Sequence, residues 1–377
     1  MTKMIKPGQT IGILGGGQLG RMMAISAREM GYRIAVLEPT KDSPCGQIAD
    51  VEVVAAYNDL GAAKDLAKHC DVLTYEFENI DHVTAEWLQN NLYLPQGHQL
   101  LQVTQHRALE KEAIQSFDVP VAPFRVIGNL DDLQQAIEEI GVPAVLKTCR
   151  GGYDGKGQVV IRELHEVEEA YRALEGKGEL ILEGWIHFEK ELSVIVTRSV
   201  HGETSTFPVA ENIHRNNILH ESIVPARIAG DIQEQAEQLA IKLAHGLNMI
   251  GTLAVEMFLT RDGDIYVNEL APRPHNSGHY TIDACETSQF EQHIRAICGL
   301  PLGSTELLKP VVMVNVLGEH LPSVMDKLAE FATIKLHLYG KEEAKIGRKM
   351  GHINVLAPTV EAALDKVNSL NIWPIED

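Results

Sequence analysis

The chain has 377 residues, 45% of them hydrophobic and 23% charged, a globular composition long enough for two or three domains. Its 33 basic against 52 acidic side chains leave a net charge of −19, which argues against nonspecific binding to nucleic acid or an anionic membrane and makes any local basic cluster informative. Five cysteines without C-x-x-C spacing disfavour a disulfide framework or a zinc site, and no run reads as a secretory signal or membrane span, so a soluble cytoplasmic protein is expected.

The first hundred residues alternate strand and helix patterns. Residues 10–14, 33–37, 51–55 and 71–77 read as strands, and 18–30 and 59–69 as helices. Such alternation predicts a parallel sheet with helices on its faces. From residue 119 the rhythm changes to an α+β unit. It has a helix at 130–140, a strand at 143–147, a glycine-rich turn at 151–157 and a returning strand at 159–161. A helix at 163–174 and strands at 179–183 and 191–198 follow. After Pro225 come a helix (232–247), two strands (253–259 and 265–270) and a helix across 289–298. Short strands surround a basic stretch beyond residue 311.

Between the first strand and helix, Gly15, Gly17 and Gly20 form G-x-G-x-x-G, and Glu38 closes the next strand where a ribose-binding acid would sit. That is a dinucleotide fingerprint, yet glycines and a helix N-terminus suit any phosphate ligand. Glu76 ends another strand of the same domain, at the end that faces the ligand crevice in open α/β sheets; an exposed strand-end acid is the plainer alternative.

GGYDGKG (residues 151–157) lies between two strands, which suggests a flap over phosphates with backbone N–H groups and Lys156 as donors. A surface hairpin is the alternative reading. Lys147, ending an apolar strand, needs a partner that a nucleotide phosphate would supply. Farther on, Asp262-Gly263 is a two-residue hairpin signal that places Glu256 opposite Glu269, with Cβ atoms about 5 Å apart. Two carboxylates so placed repel unless one is protonated or a cation intervenes, and Mg²⁺ suits them.

Arg273, His275, Asn276 and Ser277 follow on a proline-stiffened loop, where an arginine fork fits a carboxylate or carbonate. Lys341, Lys345, Arg348 and Lys349 then form a basic cluster between glycines. It reads as a phosphate site, or more plainly as a solvated face.

Taken together and in order, GILGGGQLGRM, EFEN, KTCRGGYDGKG, NELAPRPHNSGH and GRKMGHIN resemble the N5-carboxyaminoimidazole ribonucleotide synthetases, ATP-grasp carboxylases of purine synthesis. The resemblance implies an ATP-grasp fold of mixed α/β and α+β class. Its parts would be a Rossmann-like N-terminal domain (1–105), a small lid with the flap (106–185), a core with the metal site (186–310) and a C-terminal part carrying the basic loop (311–377).

It assigns ATP contacts to Arg107, Lys147, Gly152, Tyr153, Asp154, Gly155, Lys156, Gly157 and Gln158. The hinge Glu183, Gly184, Trp185 and Ile186 would meet adenine, Glu191 the ribose, and His214, Asn268 and Glu269 would complete the nucleotide site. Mg²⁺ would sit on Glu256 and Glu269. The ribonucleotide would be met by Gln18, Leu19, Glu76, Asn276, Ser277, Lys341, Arg348 and Lys349, which replaces the dinucleotide reading of the first loop. Lys156, where some relatives carry arginine, keeps the charge but loses the bidentate fork.

The implied chemistry is phosphorylation of bicarbonate by ATP, then attack of 5-aminoimidazole ribonucleotide on carboxyphosphate or on CO₂ released from it. Tyr153, Asp154, Arg273 and His275 would be catalytic, with Asp154, Glu76 or His275 as the proton acceptor. A homodimer is expected. The rivals are a formate-dependent phosphoribosylglycinamide transformylase, an NAD-dependent oxidoreductase and a non-catalytic nucleotide-binding regulator.

Overall fold

The computed structural model describes residues 3–77, 80–152 and 155–373. Three sheets organise it. Strands β1 (Thr10–Leu14), β2 (Arg33–Glu38), β3 (Val51–Val54) and β4 (Val72–Tyr75) form a parallel sheet in the order β3-β2-β1-β4. The apolar runs of β1, β2 and β4 are buried on both faces, as a parallel sheet requires, while edge strand β3 is part-exposed. Helix Gln18–Glu29 covers one face and helices Leu60–Ala67 and His82–Asn91 the other. Helix Gln289–Cys298, far along the chain, also packs into the first of these cores through Phe290, Ile294 and Ile297. Residues of the loop at 273–279 and of the first glycine loop line one cavity.

Strands β5 (Phe124–Ile127), β6 (Ala144–Thr148), β7 (Gln158–Ile161) and β8 (Leu180–Gly184) form a small antiparallel sheet in the order β5-β8-β6-β7. The GGYDGKG segment joins β6 to β7, as expected; Tyr153 and Asp154 lie outside the described residues.

The large sheet holds β9 (Phe188–Arg198), β10 (Thr204–Thr206), β11 (Ala210–Arg215), β12 (Ile218–Val224), β13 (Gly251–Thr260), β14 (Ile265–Ala271), β15 (Val311–Leu317), β16 (Ile334–Leu338) and β17 (Lys349–Leu356). Its order is β14-β13-β9-β11-β12-β15-β17-β16, with β10 beside β9. The strands beyond residue 311 therefore continue the same sheet. They bring the basic loop between β16 and β17 to the side where the carboxylates of β13 and β14 lie.

Hydrophobic periodicity leaves residues 78–118 and the β11–β12 hairpin unassigned. Within residues 80–118, helices Gln99–Thr104 and Arg107–Ser116 link the first sheet to the second, and the hairpin turns through Asn216 and Asn217 at positive φ; residues 78 and 79 lie outside the described residues.

Candidate active site

The register of β13 and β14 creates the central feature. Glu256 pairs directly with Glu269, but not through a two-residue turn. Nearer the turn Met257 pairs with Val267 and Leu259 with Ile265, so the connection is longer and Asn268 is an extra residue that restores the opposition of the glutamates. Such a bulge re-aims a side chain, and Asn268 lines the cavity beside them.

That cavity, about 450 Å³, lies between the small sheet and the β13–β14 face. Arg107, Lys147, Gly152, Gly155, Lys156 and Gln158 line one side of it, and the hinge Glu183, Gly184, Trp185 and Ile186 closes the back. Glu191, His214, Glu256, Asn268 and Glu269 line the other side. Gly157 is not on the wall; its φ of +72° and its carbonyl, which accepts from the Thr148 N–H at 2.9 Å, shape the flap's return.

Lys147 and Glu183 share a face of the small sheet, and Lys147 Nζ lies 3.0 Å from Glu183 Oε2. Lys111, 2% exposed, reaches the same oxygen at 3.2 Å. Burial disfavours an ionised Glu183, but the two ammonium groups outweigh it and hold the carboxyl at about 2. Burial in turn pushes the Lys147 ammonium down, so anionic phosphates would strengthen its charged form. Phe188 and Phe258 stack with centroids 4.7 Å apart on the same wall, a flat apolar surface suited to a base.

Glu256 is half-buried. The hydrogen bond from His275, with His214 and Arg273 nearby, nonetheless holds its carboxyl low. Burial and the facing Glu256 push Glu269 up. The nearest cation to Glu269 is Arg107, whose Nη1 is 3.5 Å away while its Nη2 donates to the Gly152 carbonyl at 3.0 Å. Two hard oxygen donors beside a phosphate-sized cavity fit a divalent cation of the Mg²⁺ type. His214, at 3.0 Å from Glu191, has its pKa raised by that carboxylate against the effect of burial.

A second cavity, about 1030 Å³, opens between the first glycine loop and the β16–β17 loop. Gln18, Leu19 and Glu76 line one side, and Lys341, Lys345, Arg348 and Lys349 the other. Arg273, His275, Asn276 and Lys349 line both cavities, so the two meet there. Asn276 is 8% exposed, and among the described residues neither its Nδ2 nor its Oδ1 has a hydrogen-bond partner. A buried amide with both ends unpaired is costly and points to a ligand that completes it.

Ser277 departs from its expected role in binding the ribonucleotide. It is 1% exposed and lines neither cavity; its hydroxyl accepts from Ser193 and bonds His275 Nδ1 at 2.9 Å. The Ser277 N–H also donates to Nδ1, so that nitrogen accepts and Nε2 carries the proton shared with Glu256 at 3.0 Å. Ser277 thus sets the His275 ring.

The dinucleotide alternative fails on the same local scale. The Gly16 N–H donates to Glu38, and the N–H groups of Gly17 and Gly20 donate to Glu76. Tyr57 also binds Glu38 through its hydroxyl. Two of the chain's own carboxylates therefore occupy the helix N-terminus that a pyrophosphate would need. Gly15, at φ +105°, leaves room for this: a Cβ there would lie 2.3 Å from Glu76 Cγ.

Lys341 donates to the Lys349 carbonyl at 2.7 Å. Burial, then the neighbouring Arg348, lowers its ammonium pKa to about 8, against the pull of Glu76.

Sequence reasoning did not reach Lys111 or Glu110. Glu110 accepts from the Leu270 N–H at 2.8 Å, and burial and Glu269 push its carboxyl up to about 8. Both sit on the helix begun by Arg107, and Lys111 is four residues on from it, a signal available once that helix is recognised.

A lid sheet with a glycine flap, a carboxylate pair facing a lysine-bearing hinge and a nucleotide-sized cavity between them define an ATP-grasp ligase. The chain matches the ATP-grasp domain over residues 112–290, the ribonucleotide synthetase preATP-grasp domain over 8–105 and the phosphoribosylaminoimidazole carboxylase C-terminal domain over 311–366. It belongs to the N5-carboxyaminoimidazole ribonucleotide synthase family. It is 58% identical over 375 residues to the synthase of Bacillus subtilis (strain 168), covering 100% of this chain and 98% of that one. With the Staphylococcus aureus (strain COL) synthase it shares 45% identity over 357 residues, 94% of this chain and 95% of the other.

Among solved structures, an N5-carboxyaminoimidazole ribonucleotide synthetase in complex with ADP superposes with a TM-score of 0.96 at 63% identity, covering 99% of both chains. The Aspergillus clavatus enzyme, solved with ADP and 5-aminoimidazole ribonucleotide, gives 0.90 at 34% identity over 96% and 97%.

Proposed function

We propose that the chain carboxylates 5-aminoimidazole ribonucleotide with bicarbonate, converting ATP to ADP and phosphate and yielding N5-carboxyaminoimidazole ribonucleotide. The observation that carries the reading is the meeting of two anion-suited cavities at Arg273, His275, Asn276 and Lys349. One cavity has the hinge, stacked rings and lysines for a nucleotide; the other has the basic loop for a ribonucleotide phosphate.

Lys147, Arg107 and the flap amides hold the polyphosphate, and Glu256 and Glu269 would hold Mg²⁺, which neutralises charge on the transferred phosphoryl group. A bicarbonate oxygen attacks the γ-phosphorus and ADP leaves, giving carboxyphosphate. Arg273 and the Asn276 amide orient the carboxyl group at the junction. The ribonucleotide amine then attacks its carbon, or that of CO₂ released from it. The C–O bond to phosphate breaks, and the amine gives up a proton.

His275 has Nδ1 engaged by Ser277 and its Nε2 proton on Glu256, and each Glu76 oxygen already accepts an N–H, from Gly17 and Gly20. This supports Asp154 as the proton acceptor. Water must be kept from the acyl phosphate, a task that suits the flap and Tyr153.

The same proposal makes the protein a cytosolic homodimer. All five cysteines are free thiols, which suits a reducing compartment, and among the described residues no helix is long and apolar enough to cross a membrane.

The test is ADP release with ATP, Mg²⁺ and either bicarbonate or formate, with and without the ribonucleotide. Release that needs bicarbonate and 5-aminoimidazole ribonucleotide together supports the proposal. Release with formate and glycinamide ribonucleotide instead would move the chain to the transformylase reaction.

A further inference from the structure

Two histidines from the sequence motifs, His279 of APRPHNSGH and His352 of GRKMGHIN, have no part in the chemistry above. Both are fully buried, and their rings lie 4.8 Å apart. They sit in the middle of a run of packed polar side chains, in ring-to-ring contact with each other.

At one end Lys341 Nζ lies 5.5 Å above the Tyr339 ring and donates to the Lys349 carbonyl. Tyr339, 1% exposed, is hydrogen-bonded through its hydroxyl to His352 Nδ1 at 2.9 Å. His279 Nδ1 lies 3.4 Å from Gln289 Nε2. Gln289 then grips one residue at both backbone groups: its Oε1 accepts from the His275 N–H at 2.9 Å, and its Nε2 donates to the His275 carbonyl at 2.7 Å. Space for that grip depends on Gly278, where a Cβ would lie 2.6 Å from Gln289 Oε1.

We infer that Tyr339, His352, His279 and Gln289 are positioning residues that fix the His275 backbone relative to the phosphate-binding lysines, so that seating the ribonucleotide phosphate sets the geometry of carboxyl transfer. The inference rests on the function proposed above.

The fold has no other evident use for so polar a chain. His337 stacks on His352 at 4.6 Å and pairs with Asp283 at 2.7 Å, and Asn354 donates to Asp283 and to the His279 carbonyl. These contacts would hold the two strands without His279 and Gln289. Burial keeps His279 and His352 well below the usual histidine range, so both are neutral and act through their packed rings and one Nδ1 contact each. Contiguity alone does not establish coupling; the test must read coupling itself.

Tyr339→Phe removes the hydroxyl and keeps the ring under Lys341. The wild type should release one phosphate per carboxylated product. The variant should release several phosphates per product and carboxylate about tenfold more slowly, as expected for misaligned reactants, with KM for ATP unchanged. One-to-one stoichiometry and unchanged turnover in a folded variant would overturn the inference, whatever its melting temperature.

A second measurement needs no variant. Ribose 5-phosphate alone, added to the wild type, should slow backbone hydrogen exchange across residues 273–279. No change there would also overturn it. A wild type that fixes no bicarbonate on the ribonucleotide would instead contradict the proposed function, so the two failures are distinguishable.

Discussion

Glu256 and Glu269 face each other across adjacent antiparallel strands, kept in that register by one extra residue, Asn268. Burial of the carboxyl and the facing Glu256 raise the Glu269 pKa, and Arg107 lies 3.5 Å away. The function proposed above has the pair receive a cation together with an anionic ligand. Glu269→Gln removes one hard donor while keeping the shape. It should lower turnover by about 10²–10³-fold with an unchanged circular dichroism spectrum. Near-normal turnover at ordinary Mg²⁺ would remove the metal role.

Lys349 lines both cavities, but it sits on the strand that closes the basic loop. Lys349→Ala should raise KM for the ribonucleotide by about 10–100-fold, the loss of one hydrogen bond to a charged group. KM for ATP should move little. An effect confined to ATP would place the ribonucleotide phosphate elsewhere.

Lys341 supplies a pH dependence. Its ammonium titrates at about 8 before the ribonucleotide binds. Only the charged form attracts phosphate, so affinity is retained below pH 8 and falls as pH rises above it, by up to about tenfold per unit. Steady-state KM for the ribonucleotide between pH 7 and 9.5 checks this. Lys341→Arg, which stays charged, should flatten the profile.

Gly15 has φ +105° and no space for a methyl group beside Glu76. Gly15→Ala should therefore destabilise the first domain by about 1–3 kcal/mol, seen as a lower melting temperature. It should also disturb the Glu76 carboxylate that lines the second cavity. An unchanged melting temperature would mean that the loop relaxes freely.

Much of this was legible in the residues. Strand–helix alternation signalled the first sheet, and the opposed glutamates were readable from hairpin spacing, although a bulge rather than a two-residue turn produces the opposition. The first glycine loop was legible as a special turn but not in its use. Glu38 and Glu76 are distant in sequence from the amides they occupy, and only the folded β1–β2 and β1–β4 pairings bring them there. Lys111, Glu110 and Gln289 lie on helices whose polar residues look solvent-facing in sequence, and tertiary packing turns them inward. Ser277 has the polarity of a ligand group; its burial against Ser193 is a property of the large sheet.

The most direct test is to follow labelled carbon from bicarbonate into the ribonucleotide while counting ADP. With ATP, Mg²⁺ and 5-aminoimidazole ribonucleotide present, one labelled carboxyl should appear on the ribonucleotide for each ADP formed, and none when either ATP or the ribonucleotide is left out. ADP formed without any label on the ribonucleotide would contradict carboxylation as the reaction of this site.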